Sequence, residues 1–192
     1  MRLGVYLCLL LRATCEPYDL RNNPTPATWA EILCLDDPNG KGARRVTSAL
    51  KRPGRERLVE LKPRAARTPE VQLLDPARSG RPLERGFERG ERWVAIPHEL
   101  WLRGWIFDLH ETSLGVSLVL MDRLYGAKSS QFITRERRES YGLSEDTWTR
   151  SIRDLTNRGL LKAGRAPVGD DLHFGRARNT YWIIKRRLDD TP

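Results

Sequence analysis

FITRERRESYGLSEDTWTRSIRDLTNRGLLKAGR, running from Phe132 to Arg165, carries the densest set of folding signals in the chain. Phe132 and Ile133 read as a short strand. Thr134 is a helix-capping residue type, and with Glu136 in the first turn the pair predicts a capping box. That helix ends near Tyr141, because Gly142 supplies the left-handed residue that commonly follows a helix. Ser144 caps the next helix, and Glu145 and Asp146 sit in its first turn, where the backbone dipole favours acids. Trp148, Ile152 and Leu155 recur at i, i+4 and i+7, so one stripe of this helix faces a core. Gly159 stops it, and Leu160, Leu161 and Lys162 leave as a strand.

Two helices joined by three or four residues including glycine, with a polar outer face on the second, form a helix-turn-helix. Opposite the apolar stripe lie Asp146, Arg150, Arg153 and Asn157, with Thr147 and Thr149 on the flanks. Arginine and asparagine are the side chains that bond guanine and adenine edges with two hydrogen bonds each. A charged outer face alone describes any solvated helix. Here it coincides with two caps, a short turn and a closing strand, which together favour DNA reading.

The 192 residues suffice for one domain or two small ones, and the formal net charge of +9 makes a polyanionic partner the natural expectation. The cations are 28 Arg against 6 Lys. A GC-rich genome produces the same bias, so the placement of the charge carries more weight than its amount. The three cysteines, Cys8, Cys15 and Cys34, are odd in number and lack metal-site spacing, which suits a reducing cytoplasm. No apolar run approaches the roughly 18 residues of a membrane span.

At the N-terminus, Leu3–Leu11 has the apolar length of a signal-peptide core. Arg12 follows at once, and Ala13-Thr14-Cys15 is neither a small-x-small cleavage site nor a lipobox, so a buried first helix is expected. Pro17 and the Asn22, Asn23, Pro24 cluster break the chain. Thr25-Pro26 then caps a short helix with proline at its first position, and Trp29, Ile32 and Leu33 form its apolar stripe. Asp36 to Gly40 is a turn. Ala43, Val46, Ala49 and Leu50 mark the next helix, expected over 40–52, whose other face carries Lys41, Arg44, Ser48 and Lys51 beside Arg45 and Thr47. Leu58–Lys62 and Val71–Leu74, joined by about eight residues, predict a β-hairpin.

Residues 76–92 are dominated by Pro, Gly, Arg and Glu and read as an exposed linker. Residues 1–40 hold 3 basic and 5 acidic side chains, residues 41–92 hold 15 and 7, and residues 93–192 hold 16 and 13. The positive charge therefore begins at the Lys41–Lys51 helix and continues through its hairpin and the linker, the elements that would lie along phosphates.

Beyond the linker, Trp93–Pro97 reads as a short strand, followed by a Trp- and Leu-rich helix in which Trp101, Trp105, Ile106 and Leu109 are core. Thr112–Gly126 reads as an apolar helix with Leu114, Leu118, Met121 and Tyr125 on one side. After the closing strand comes a polar loop from Val168, and Tyr181–Ile184 returns as a strand. Arg176, Arg178 and Asn179 sit at the loop's exit, where a hairpin touches a minor groove or phosphates.

These residues resemble the winged helix-turn-helix superfamily. The most specific are ESYGLSEDTWTRSIRDLTNRGLL (Glu139–Leu161), the basic loop and ARNTYWII (Ala177–Ile184), and the pattern is similar to repressors and plasmid replication initiators, with no single family matched. The resemblance covers about half the chain, and residues 1–74 more loosely. It implies an α+β protein of two tandem winged helix-turn-helix domains, each a three-helix core with a β-hairpin wing, over residues 1–75 and 93–192. The expected function is sequence-preferring double-stranded DNA binding in transcription regulation, with replication initiation or protein docking as alternatives. A cytoplasmic, nucleoid-associated location follows, homodimerisation stays open, and neither a cofactor nor a separate small-molecule domain is expected.

The enzyme reading finds little support in the residues. His98, His110 and His173 are scattered and lack metal-binding spacing, and neither a phosphate-binding G-x-x-x-x-G-K-[ST] loop nor a G-x-S-x-G elbow occurs. Asp170 and Asp171 fit a turn better than a metal site. A non-enzyme is expected, with no metal.

Overall fold

The computed structural model describes residues 2–55, 57–65, 67–77, 79–84, 94–124, 131–167 and 177–192. The chain is α+β, and it divides into two compact units, Met1–Glu91 and Arg92–Pro192. Among the described residues, no helix is long and apolar enough to cross a membrane.

In the N-terminal unit, α1 (Arg2–Arg12) buries Val5, Leu7, Cys8 and Leu9, as its apolar run requires. A strand not anticipated from the sequence follows: β1 (Asp19–Leu20), too short to show alternation, pairs antiparallel with Gln72 and Val71. In α2 (Pro26–Ile32) the Thr25 hydroxyl accepts from the Thr28 backbone N–H at 3.1 Å, with proline at the first helical position. Trp29 is buried, and its Nε1 donates to Asn23 Oδ1 at 2.9 Å while Asn23 Nδ2 donates to the Pro69 carbonyl at 3.1 Å. That relay satisfies buried polar groups and ties α2 to the sheet. Ile32, expected in the apolar stripe, is exposed, because α2 ends there and Leu33 takes the inward place.

The turn before α3 is a π-helical segment, Pro38–Gly42, capped by the Asp37 carboxylate, which accepts from the Lys41 backbone N–H at 2.8 Å. Gly42 is buried against α2, and a Cβ there would meet two backbone carbonyl oxygens at 3.0 Å and Ala30 Cβ at 3.1 Å. Helix α3 (Ala43–Arg55) therefore begins after Lys41, later than the expected 40–52 range, and turns Val46, Ala49 and Leu50 inward. β2 (Val59–Arg64) and β3 (Arg67–Leu73) extend well into the eight residues expected to join them, and Pro63 sits at a register shift, where a ladder tolerates proline. The sheet order is β1-β3-β2.

The segment after β3 is not wholly extended into solvent. The Asp75 N–H donates to the Arg81 carbonyl at 2.9 Å and the Leu83 N–H to the Leu73 carbonyl at 2.9 Å, and Leu74 bridges Pro82. The Asp75 carboxyl is held below the usual carboxylate range by the Ala77 backbone N–H and then by the Ser79 hydroxyl. The residues expected to start a linker thus fold back on the unit, because a polar Asx-type turn can form without a core.

The C-terminal unit opens differently from expectation. Residues 94–97 form no strand, and Trp93 lies outside the described residues. The Trp-rich stretch is two single-turn helices, α4 (Glu99–Leu102) and α5 (Trp105–Asp108), split by Gly104 in the left-handed region. Trp105 is buried, and its Nε1 donates to the Asp190 carbonyl at 2.9 Å. Helix α6 (Glu111–Leu124) packs on both α8 and β6. Its buried side is Ser113, Leu114, Val116, Ser117, Leu120 and Leu124, so the expected stripe through Leu118 and Met121 is only half-buried. Two buried serines let α6 approach its neighbours closely, which a purely apolar search misses; Tyr125 lies outside the described residues.

β4 (Gln131–Phe132), α7 (Arg135–Ser140), α8 (Glu145–Asn157), β5 (Leu161–Pro167) and β6 (Ala177–Ile183) follow, and a 3₁₀ helix, Lys185–Asp189, closes the unit. The sheet order is β4-β6-β5. From α6 onward the C-terminal unit thus follows the order of the N-terminal one, helix, strand, helix, helix, hairpin, with the last strand central in its sheet. Trp148 anchors the core: its ring meets Tyr181 edge-on at 5.6 Å, and its Nε1 donates to the Tyr181 hydroxyl at 3.1 Å.

Candidate nucleic-acid interface

Helices α7 and α8 of the C-terminal unit are set by their caps. Thr134 Oγ1 accepts from the Arg137 N–H at 3.3 Å, and Ser144 Oγ accepts from the Thr147 N–H at 3.2 Å. The expected capping box is not formed. Glu136 stands two residues beyond Thr134, not three, so its carboxylate accepts from its own backbone N–H and then from the Thr134 hydroxyl, which together hold it below the usual carboxylate range. Gly142 and Gly159 both adopt positive φ, at 68° and 74°, and end the two helices where expected.

Asp146, Thr149, Arg150, Arg153 and Asn157 are all exposed on α8. Asp146 to Asn157 spans about 16 Å along one helical face. Thr147 is half-buried because its hydroxyl meets that of Ser144 at 2.9 Å, making it part of the cap. Arg150 is paired with Asp146, one turn earlier, whereas Arg153 makes no ion pair with any described residue. The pair is solvent-exposed at both ends, with side-chain exposures of 71% and 72%. Exposed pairs contribute about 0–1 kcal/mol, so a stronger acceptor displaces the carboxylate.

Three arginines of α7 divide between support and surface. Arg138 is only 15% exposed, bonds Glu145 at 2.6 Å and lies 5.8 Å over the Trp148 ring. Arg137 lies 5.4 Å over the Tyr141 ring. Arg135 stays exposed, and the bond to Glu139 raises its already high pKa, so it is a permanent cation. Arg135 was not singled out in the sequence, although its place in the first turn beside a capping threonine is visible there.

Arg178 and Asn179 lie within β6, further from the strand's end than expected, because β5 and β6 pair as far as Pro167 and Ala177. The Arg178 guanidinium sits 4.9 Å over the Phe132 ring. Asn179 Oδ1 accepts from Arg165 Nε at 3.4 Å across the ladder. By two-residue alternation both share the sheet face of Tyr181, the face turned to α8. Arg165 is therefore a further candidate, legible only once the register is known. A hollow of about 290 Å³ is lined by Arg135, Glu136, Glu145, Arg178 and Asn179 among others, so the starts of α7 and α8 and the outer half of β6 share one side. Arg176 lies outside the described residues.

In the N-terminal unit, Arg44, Arg45, Ser48 and Lys51 are exposed on α3, and Lys41 is exposed in the π-helical turn before it. Thr47 is half-buried and donates to the Ala43 carbonyl at 3.0 Å. None of Lys41, Arg44, Arg45 and Lys51 makes an ion pair with a described residue. On the hairpin, Lys62, Arg64 and Arg67 are exposed, and Arg64 Nη1 donates to the Arg21 carbonyl at 2.6 Å.

Among the described residues, no group of three His, Cys, Asp or Glu side chains could hold a metal ion. Compared with known proteins, the chain matches no family model, no curated sequence and no solved structure.

Proposed function

We propose that the chain binds double-stranded DNA with sequence preference through two tandem winged helix-turn-helix domains, as a transcription regulator. In this reading α8 and α3 enter major grooves, and the hairpins follow phosphates. The observation that carries it is the order helix, strand, helix, helix, hairpin shared by α1–β3 and α6–β6, with Arg150, Arg153 and Asn157 exposed on α8 and Arg44, Arg45 and Lys51 exposed on α3. Arg150, Arg153 and Asn157 supply forked and amide donors for base edges, while Thr149 supplies a hydroxyl. Arg165, Arg178 and Asn179 in the C-terminal hairpin, and Lys62, Arg64 and Arg67 in the N-terminal hairpin, suit phosphate contact. The three free cysteines fit a reducing cytoplasm. The tandem repeat itself equally favours a second reading, a replication initiator of a plasmid or mobile element.

The test is binding of the intact chain to a labelled random duplex, followed by selection from a random-sequence pool. Affinity should fall by about 10³–10⁵ between 50 and 200 mM salt if six to ten phosphates are contacted. A recovered consensus upstream of the chain's own gene supports the regulator; iterated copies at an origin support the initiator. Salt-independent binding, or none, sinks the DNA reading.

A further inference from the structure

The C-terminal unit holds a second feature that DNA binding does not use. An apolar cavity of about 760 Å³ opens between residues 95–97, the last turn of α6, the end of β6 and the 3₁₀ helix. Met121, Leu124, Trp182 and Leu188 form its walls, and Trp182 remains 38% exposed. Its size lies in the range of small-molecule sites, roughly 300–1,000 Å³. Water against such walls is poorly accommodated, and methionine and an exposed indole adapt readily to an apolar guest.

The charge at its mouth says what kind of guest. Lys185 and Arg186 line the cavity, are exposed, and make no ion pair with any described residue. The next arginine behaves in the opposite way. Arg187 lies 4.8 Å over the Trp105 ring, donates to the carbonyls of Arg158 and Thr191, and pairs with Asp190 at 3.4 Å. Asp190 is thereby engaged, and Asp122, beside Met121, accepts from the Tyr141 hydroxyl at 2.8 Å. An apolar body would fill the walls, and one anionic head would meet the two cations. Sugars or nucleotides would bury polar groups without partners.

We propose that this cavity binds a medium-chain carboxylate, an aliphatic acid of the fatty-acid type. The cavity takes Trp182 and Ile183 from the strand that carries Arg178 and Asn179, so the guest and the proposed DNA face share β6. The proposal itself does not depend on DNA binding.

The experiment titrates the intact chain with decanoate, decanol and decyltrimethylammonium below micellar concentrations, read by calorimetry. Tryptophan emission gives a second readout, with Trp182→Phe identifying the reporting ring. Decanoate should bind saturably, one per chain, and decanol and the ammonium at least about tenfold more weakly, the worth of one charge-assisted hydrogen bond. Lys185→Ala with Arg186→Ala should remove that preference and leave decanol binding unchanged. Ala95→Trp fills the cavity from an exposed position and should abolish binding of all three with the circular dichroism intact. No saturable decanoate binding, or equal binding of the three probes, overturns the proposal. So does a wild-type dimer in sedimentation that Ala95→Trp dissociates, because a second copy of the chain would then cover the groove.

Discussion

Arg150 would approach a polyanion already paired with Asp146, and this decides how its removal should be read. Truncating Arg150 leaves an exposed carboxylate on the same face, so Arg150→Ala combines a lost donor with an unmasked repulsion. On the selected site it should weaken binding by about 1–3 kcal/mol and relax preference at one base position. Asp146→Ala should tighten binding to random duplex, because a repulsion is removed and Arg150 is released from its pair; unchanged random-duplex affinity would place Asp146 away from the DNA. Glu136 offers a test that needs no DNA. Its folded-state pKa is lowered, so its contribution is present above the ordinary glutamate value of about 4.3 and is lost as pH falls through the lower folded value. Amide protection factors at the start of α7, with the exchange rate corrected for its intrinsic pH dependence, should fall on acidification from about pH 5 to 3, and Glu136→Gln should flatten that fall.

α8 depends on both of its ends. Ser144→Ala removes the acceptor for the Thr147 N–H and should lower stability by about 1 kcal/mol in thermal or urea unfolding. Gly159→Ala should lower it by about 1–2 kcal/mol, since φ at 74° is left-handed; the added Cβ meets the Arg187 side chain at an ordinary 3.6 Å, so strain and not collision is the cause. A loss near zero for either variant would mean that end of α8 does not depend on its cap. The β5–β6 hairpin is a separate element with a separate signature. Arg178 rests on Phe132, so Arg178→Ala should reduce binding equally on selected and random duplex and lower the salt slope by about one. An unchanged slope would turn the hairpin toward a protein partner instead.

At the scale of the whole molecule, the shared architecture of the two units predicts two readers on one chain. Neutralising Arg44, Arg45 and Lys51 together, or Arg150 and Arg153 together, should shorten the footprint from opposite ends. Each should weaken the intact protein's binding by up to about 10²–10⁴, the gain that tethering supplies. If only the α8 variants change footprint and affinity, the N-terminal unit is not a second reader, and its cationic face is merely solvated. The fragment boundary for any dissection belongs after Leu83, because Asp75–Leu83 folds back on β3.

The local grammar of the chain was enough to place most helices, their caps and their exposed polar faces. Thr25, Thr134, Ser144, Gly142 and Gly159 act within one turn of their own position, and a helical face follows from spacing alone. What depends on partners distant in sequence was not legible. β1 is two residues long and exists because Gln72 and Val71 offer it a ladder. The buried side of α6 is decided by packing against both α8 and β6, which brings Ser113 and Ser117 inside. Arg165 joins the candidate interface only through its register with Asn179. The apolar cavity draws on four separate segments, each unremarkable by itself, and only tertiary structure brings Met121, Trp182 and Lys185 to one opening.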